Sequence, residues 1–171
     1  SIMFALFFAI VMRGFQRGSY DKMKENALES YSGYIQIHKK GYWDDKNINN
    51  IFSIDKETIS NLESDSRVKV VIPRLESFAL ASSGIATKGV AVMGISPEKE
   101  DKMTKIKSYL QEGEFINSDD KAILVASGLA KFLNIKLNDT LVLFSSGYHG
   151  ETEAGLCPVK GILTLPTPEL N

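Results

Sequence analysis

Charge of one sign is what this sequence most plainly lacks. Its 20 Lys and Arg stand against 21 Asp and Glu, a formal net charge of −1 over 171 residues. No large field is available to draw in nucleic acid or an acidic substrate. Cysteine is almost absent too. The single Cys157 excludes an internal disulfide framework and reads as a small buried hydrophobe, leaving the redox compartment open. There are two histidines, His38 and His149, more than a hundred residues apart, and neither has a Cys or carboxylate at ligand spacing beside it. That pattern argues against a metal site.

Catalytic and nucleotide signatures are missing as well. "GIATKGVA", Gly84 to Ala91, has the two glycines of a phosphate loop, but Val90 and Ala91 stand where Lys and Ser or Thr must reach phosphate and magnesium. It reads as a hairpin turn. "VASGLA" lacks the first glycine of a nucleophile elbow, and Ser127 is expected to cap a helix instead. The adjacent carboxylates Asp44/Asp45 and Asp119/Asp120 read as solvated turn residues. The chain is thus expected to be no enzyme and to carry no cofactor or metal.

What is present is an apolar opening, "SIMFALFFAIVM", with eleven apolar residues from Ile2 to Met12. As a helix these span about 16 Å, roughly half a bilayer core of ~30 Å. A signal peptide would need a basic region before the run and a small-residue cleavage site after it, and Ser1 and "MRGFQRG" supply neither. A soluble core helix would show polar residues on one face, and the run shows none. It reads as the outer half of a transmembrane helix, with Phe4, Phe7, Phe8, Ile10 and Val11 in contact with lipid or with a second copy. Arg13 and Arg17 stand at the junction, where their stems stay apolar and their heads reach phosphates. Beyond them Tyr20, Met23, Ala27 and Tyr31 recur at helical spacing, so the helix should continue into water despite Gly14 and Gly18.

After Gly33 the pattern becomes mixed. "YIQIH" alternates as a strand does, and "RVKVVIPRLESFALA" and "GVAVMGI" read as strands around a "SSGIATK" hairpin, with Pro73 marking a bend or an edge. Asp55 caps a short helix over "IDKETISNLESDS". Ser96 and Pro97 open a helix over "SPEKEDKMTKIKSYL". "KAILVAS", "NDTLVLFSS" and "CPVKGIL" read as strands, and "SGLAKFLN" as a helix closing near Asn134. The fold class is α+β: a mixed sheet with short helices, preceded by a long N-terminal helix. No internal repeat or low-complexity segment is evident. In "HKKGYWDDK" the only tryptophan, Trp43, stands beside Tyr42 in a polar loop. Either Trp43 folds back over the end of the sheet, or Tyr42 and Trp43 form a partner-binding face.

Four stretches in order, "SGYIQIHKKGYWDD", "VIPRLESFALASSGIATKGVAVMGISPEKE", "ILVASGLAKFLNIKLNDTLVLF" and "PVKGILTLPTPELN", resemble the extracytoplasmic domain of FtsX/MacB-type ABC-transporter permeases, closest to the lipoprotein-releasing branch. The resemblance runs from about Gly14 to Asn171. It implies residues 1–18 as the truncated end of the first transmembrane helix and its junction, 19–33 as a stalk helix, and 34–171 as an extracytoplasmic domain incomplete at its C-terminal end, with further transmembrane helices beyond. It implies the inner membrane as location, this domain on the periplasmic side. Its implied partners are a cytoplasmic ABC ATPase subunit, a second permease subunit and the membrane, with a lipoprotein and a periplasmic carrier or adaptor as further candidates, and no nucleic acid. The implied function is coupling of ATP hydrolysis to lipoprotein release. Alternatives are a macrolide or peptide exporter, and a signalling scaffold that activates a cell-wall hydrolase.

Overall fold

The computed structural model describes residues 2–27, 33–44, 48–146 and 152–165. The chain divides into two compact units, Ser1–Gln36 and Ile37–Asn171. The first holds α1, Ile2–Ala27, an unbroken helix of 26 residues and about 39 Å. It passes through Gly14 and Gly18 as the sequence predicts. Phe4, Phe7, Phe8, Ile10 and Val11 are all exposed, between 49% and 68%, and Phe7 meets Phe8 edge-on at 5.8 Å. Among the described residues no helix is long and apolar enough to cross a membrane. The end of the expected stalk, residues 28–32, lies outside the described residues.

The second unit is a six-stranded mixed sheet with three short helices. Helix α2, Lys56–Glu63, starts where Asp55 accepts a hydrogen bond from the Thr58 amide at 2.6 Å, which satisfies one of the orphan donors of a first turn. Strands β1, Leu75–Ser82, and β2, Thr87–Gly94, pair antiparallel along their whole length, Leu75 opposite Gly94 and Ser82 opposite Thr87. Their turn is closed by Ser83 N–H donating to the Ala86 carbonyl at 3.1 Å, with Gly84 at φ +87°. Helix α3, Pro97–Thr104, leads through a 3₁₀ turn, Ile106–Tyr109, into β3, Leu110–Gly113. Strand β4, Ile123–Ala126, enters α4, Ser127–Leu133, and β5, Thr140–Ser146, returns to the long β6, Thr152–Leu163. The order is β2-β1-β5-β6-β3, with β4 parallel to β6 and the other pairs antiparallel.

The core lies on one side of this sheet. Ala81, Leu141 and Val159 from β1, β5 and β6 meet Val125 of β4, Ala130 and Leu133 of α4, and Ile135 just beyond it. Leu133, Leu141 and Val159 are the largest side chains sealed from solvent. Helix α4 ends at Asn134 with φ 52°, and the Ile135 amide donates back to the Ala130 carbonyl at 2.9 Å, a left-handed cap that turns Ile135 into the core.

Four local expectations are corrected. Residues 34–38 are not a strand; Tyr34, Ile35 and Ile37 lie exposed with no ladder partner among the described residues. Alternation needs a neighbouring strand to become a ladder. The run from Arg67 enters the sheet only at Leu75, because Pro73 has no N–H and restricts the residue before it. The preceding segment is tied to α3 instead, Lys99 Nζ donating to the Val71 carbonyl at 3.3 Å and to Glu63 at 2.7 Å. The helix opened by Ser96 stops at Thr104, since Lys105 takes a left-handed φ of 53°. Finally, Ala126 is the N-cap of α4, whereas the Ser127 hydroxyl accepts a hydrogen bond from Thr164 at 3.0 Å.

Lys160 of β6 reaches Asp120 at 2.6 Å, while the Asn117 amide donates to the same carboxylate at 2.7 Å. The Lys160 hydrogen bond first, and the Asn117 amide second, hold the Asp120 carboxyl below its ordinary value. A depressed carboxylate stabilises the fold above its unfolded pKa of about 3.9, and that contribution disappears as pH falls through the folded value. Asp120→Asn is therefore expected to melt slightly below wild type at pH 6, with the gap closing as pH drops below about 4. Thermal scans across that range check it.

Candidate functional site

The polar loop that carries Tyr42 and Trp43 is an ordered turn. The Tyr42 amide donates to the Lys39 carbonyl at 3.0 Å and the Asp44 amide to the Gly41 carbonyl at 3.2 Å. Gly41 sits at φ +87°, a conformation that a β-carbon disfavours. The turn brings three rings together. His38 stacks on Tyr42 with centroids 4.8 Å apart and planes 9° from parallel, and Trp43 stands edge-on to His38 at 4.9 Å and to Tyr42 at 6.0 Å.

The two sequence-predicted site residues part ways here. Tyr42 is buried at 8% exposure and Trp43 is 62% exposed. Burial first, then the charge of Glu76 and a hydrogen bond with it, pushes the Tyr42 hydroxyl above its ordinary range. Because the proton is held more tightly in the folded chain, this contribution is full below the unfolded tyrosine pKa of about 10 and is lost as pH rises through the folded value. Tyr42 thus anchors the turn to β1, and Trp43 is presented outward from a pedestal of two rings. Trp43→Ala is expected to cost less than about 1 kcal/mol, since most of its surface is already wet. Tyr42→Phe should cost about 1.5 kcal/mol, because it removes a buried hydroxyl that donates to a charged carboxylate. Denaturant titration of both variants distinguishes the anchor from the presented ring.

The sequence pattern did not mark His38 or Glu76 as partners of this cluster. It also missed the outer face of the sheet. Cross-strand register puts Phe78 and Leu80 of β1 on the side opposite Ala79 and Ala81, with Phe144 of β5 opposite Leu80 and Leu156 of β6 opposite Val142. These four large side chains are 66%, 53%, 40% and 74% exposed. Glu76, the residue against which Tyr42 packs, belongs to the same side of β1. The signal was legible in "LESFALAS", where the larger apolar residues occupy alternate positions on the face away from the core.

Other candidate groups do not converge. Asp44 is exposed in the aromatic turn, and Asp120 is engaged by Lys160 as described. Asp45 and His149 lie outside the described residues. Among the described residues no cluster of His, Cys, Asp or Glu could hold a metal ion. Val90 and Ala91 are mid-strand residues of β2, paired with Ala79 and Phe78.

No family model matches the chain. It is 30% identical over 93 residues to the lipoprotein-releasing system transmembrane protein LolE of Haemophilus influenzae, a match covering 54% of this chain and 22% of that relative. Among solved structures it is similar to the periplasmic region of MacB from Actinobacillus actinomycetemcomitans, at a TM-score of 0.49 and 15% identity, over 74% of this chain and 57% of that one. The similarity to LolE accords with the resemblance to ABC-transporter permeases stated above, over a stretch that spans about a fifth of that relative's length.

Proposed function

We propose that this chain is the extracytoplasmic domain of an ABC-transporter permease subunit and that it couples ATP hydrolysis in the cytoplasm to release of a lipoprotein from the inner membrane. The observation that carries the reading is the 93-residue similarity to LolE, whose own description is that of a lipoprotein-releasing transmembrane protein. The form of α1 supports it. An unbroken helix of 26 residues, apolar over its first eleven and charged beyond Met12, suits a segment that leaves lipid and continues as a lever. Its axial hydrogen bonds make such a rod stiff along its length. In this reading ATP is bound and hydrolysed by a separate cytoplasmic subunit, a second permease subunit completes the transporter, and the domain itself does no covalent chemistry. It faces the periplasm from the inner membrane.

The test uses the complete permease with its ATPase in proteoliposomes loaded with one acylated lipoprotein. ATP-dependent transfer of that lipoprotein to a soluble carrier is expected, and a version lacking the acyl chains should not compete. ATP turnover that responds equally to both forms would sink the lipoprotein reading and leave export or signalling.

A further inference from the structure

The sheet ends on two very different strands. At one end β3 is four residues long, carries Glu112, and slips in register against β6 between Leu110 and Glu112. Shortness, charge and irregularity are the usual means by which an edge is kept from pairing with another chain. At the other end β2 has almost none of them. It is eight residues long, pairs with β1 without a register shift, contains no proline, and has Lys88 as its only charge. An antiparallel strand directs the N–H and C=O of alternate residues to one side and those of the others to the opposite side. On the side away from β1 no described residue pairs with β2, which leaves a row of donors and acceptors ready to template another strand. A β-carbon added to Gly89 would meet nothing within 4 Å.

We propose that the open edge of β2 takes an extended peptide segment of a partner protein as an added antiparallel strand. The backbone groups specify the chemistry of the occupant, because a row of donors and acceptors at strand spacing is met by another extended backbone. Antiparallel pairing is the more stable arrangement per residue. The side chains specify the sequence of the segment. Lys88, Val90 and Val92 share the core-facing side of β2, opposite Ala81, Ala79 and Ser77. Phe132 of α4 lies on this side too, 56% exposed, with the Lys88 ammonium 4.9 Å from its ring centre. Apolar residues opposite Val90 and Val92 would continue the core outward, and a carboxylate opposite Lys88 would meet its charge. On the outer side Gly89 and Ala91 leave room for larger neighbours. From its N-terminal end the segment therefore reads apolar, any, apolar, large, acidic. The inference stands on the sheet edge alone and does not require the transport reading.

The probe is a fluorescein-labelled peptide, Thr-Val-Thr-Val-Tyr-Glu, titrated with the full chain in one detergent throughout and read by anisotropy and by hydrogen exchange. Wild type is expected to bind it, and amides of alternate residues between Thr87 and Met93 should exchange more slowly in its presence. Two peptides N-methylated on alternate amides decide whether the backbone is the contact. One set faces β2 and should abolish binding, whereas the other should spare it. Lys88→Glu is expected to weaken binding at least ten-fold, and a peptide that ends in Lys instead of Glu should recover it on that variant. Recovery separates a lost charge from a lost fold. A wild-type chain that leaves the peptide free overturns the inference. Binding that tolerates both N-methylated sets overturns strand addition. Equal binding by wild type and Lys88→Glu, or slowed exchange outside β2 alone, overturns its placement. Exchange at β2 that slows with chain concentration and no peptide gives the edge to a second copy and overturns the inference as well.

Discussion

Replacing Gly113 by alanine is expected to destabilise the second unit by about 3–5 kcal/mol, from two costs acting together. Gly113 has φ +84°, where a β-carbon meets the flanking carbonyl oxygen, a cost of roughly 1–2 kcal/mol. A β-carbon built there would also lie 2.2 Å from the Lys160 carbonyl oxygen and 2.7 Å from a Leu137 methyl. The first of these atoms is backbone, and overpacking of this kind costs typically 1–3 kcal/mol. Gly113 pairs with Gly161, whose own β-carbon would fall 2.8 Å from both the Glu114 carbonyl oxygen and a Leu110 methyl. The β3–β6 contact is therefore closed by two facing glycines, and neither strand can retreat without opening the other. Gly84→Ala is the control. Its φ of +87° is close to that of Gly113 but it has open space around it, so it should show the conformational cost alone. Denaturant midpoints with unchanged slopes would measure both, and a Gly113→Ala chain no less stable than Gly84→Ala would contradict the account.

The second large effect is expected at Arg74 and Glu100. Arg74 Nε donates to Glu100 Oε2 at 2.8 Å and its terminal nitrogen to Glu100 Oε1, a fork-shaped pair with side chains only 13% and 3% exposed. The pair joins the segment before β1 to the middle of α3, where the Thr104 hydroxyl donates to the Glu100 carbonyl at 3.0 Å. Removing the carboxylate takes the two-pronged partner from a guanidinium held in a dry place, so Glu100→Ala should cost about 3–5 kcal/mol. The double variant Arg74→Met with Glu100→Leu should recover most of that loss, since apolar replacement of a buried pair is often close to neutral. If the double variant is as unstable as Glu100→Ala, the pair contributes through packing rather than through charge.

The aromatic turn shows how a residue type can be legible while its role is not. A Tyr and Trp side by side in a polar loop identify a place where apolar surface is used. Which ring is inward depends on the Gly41 turn and on Glu76, 33 positions beyond Trp43 in sequence, and both belong to tertiary geometry. Likewise "LESFALAS" declares two unequal faces, yet only the register with β5 and the placement of α4 tell which face meets the core.

By itself the sequence determined the local grammar of this protein. It gave the unbroken helix through Arg17, the Asp55 cap, the 75–94 hairpin around Gly84, the start of α3 at Ser96-Pro97, the end of α4 at Asn134, and the α+β class. These are decided within a few residues, by caps, fixed φ values and alternation, so neighbours in the chain suffice. Tertiary structure alone decided the rest. It kept Tyr34–His38 out of the sheet although they alternate, turned the tail of an apparent helix into the 3₁₀ turn that leads into β3, set β4 parallel to β6, and left Phe78, Leu80, Phe144 and Leu156 on the outer side of the sheet. Each of those outcomes depends on whether a distant strand arrives to supply hydrogen bonds or burial, and periodicity along one segment carries no record of which partner comes.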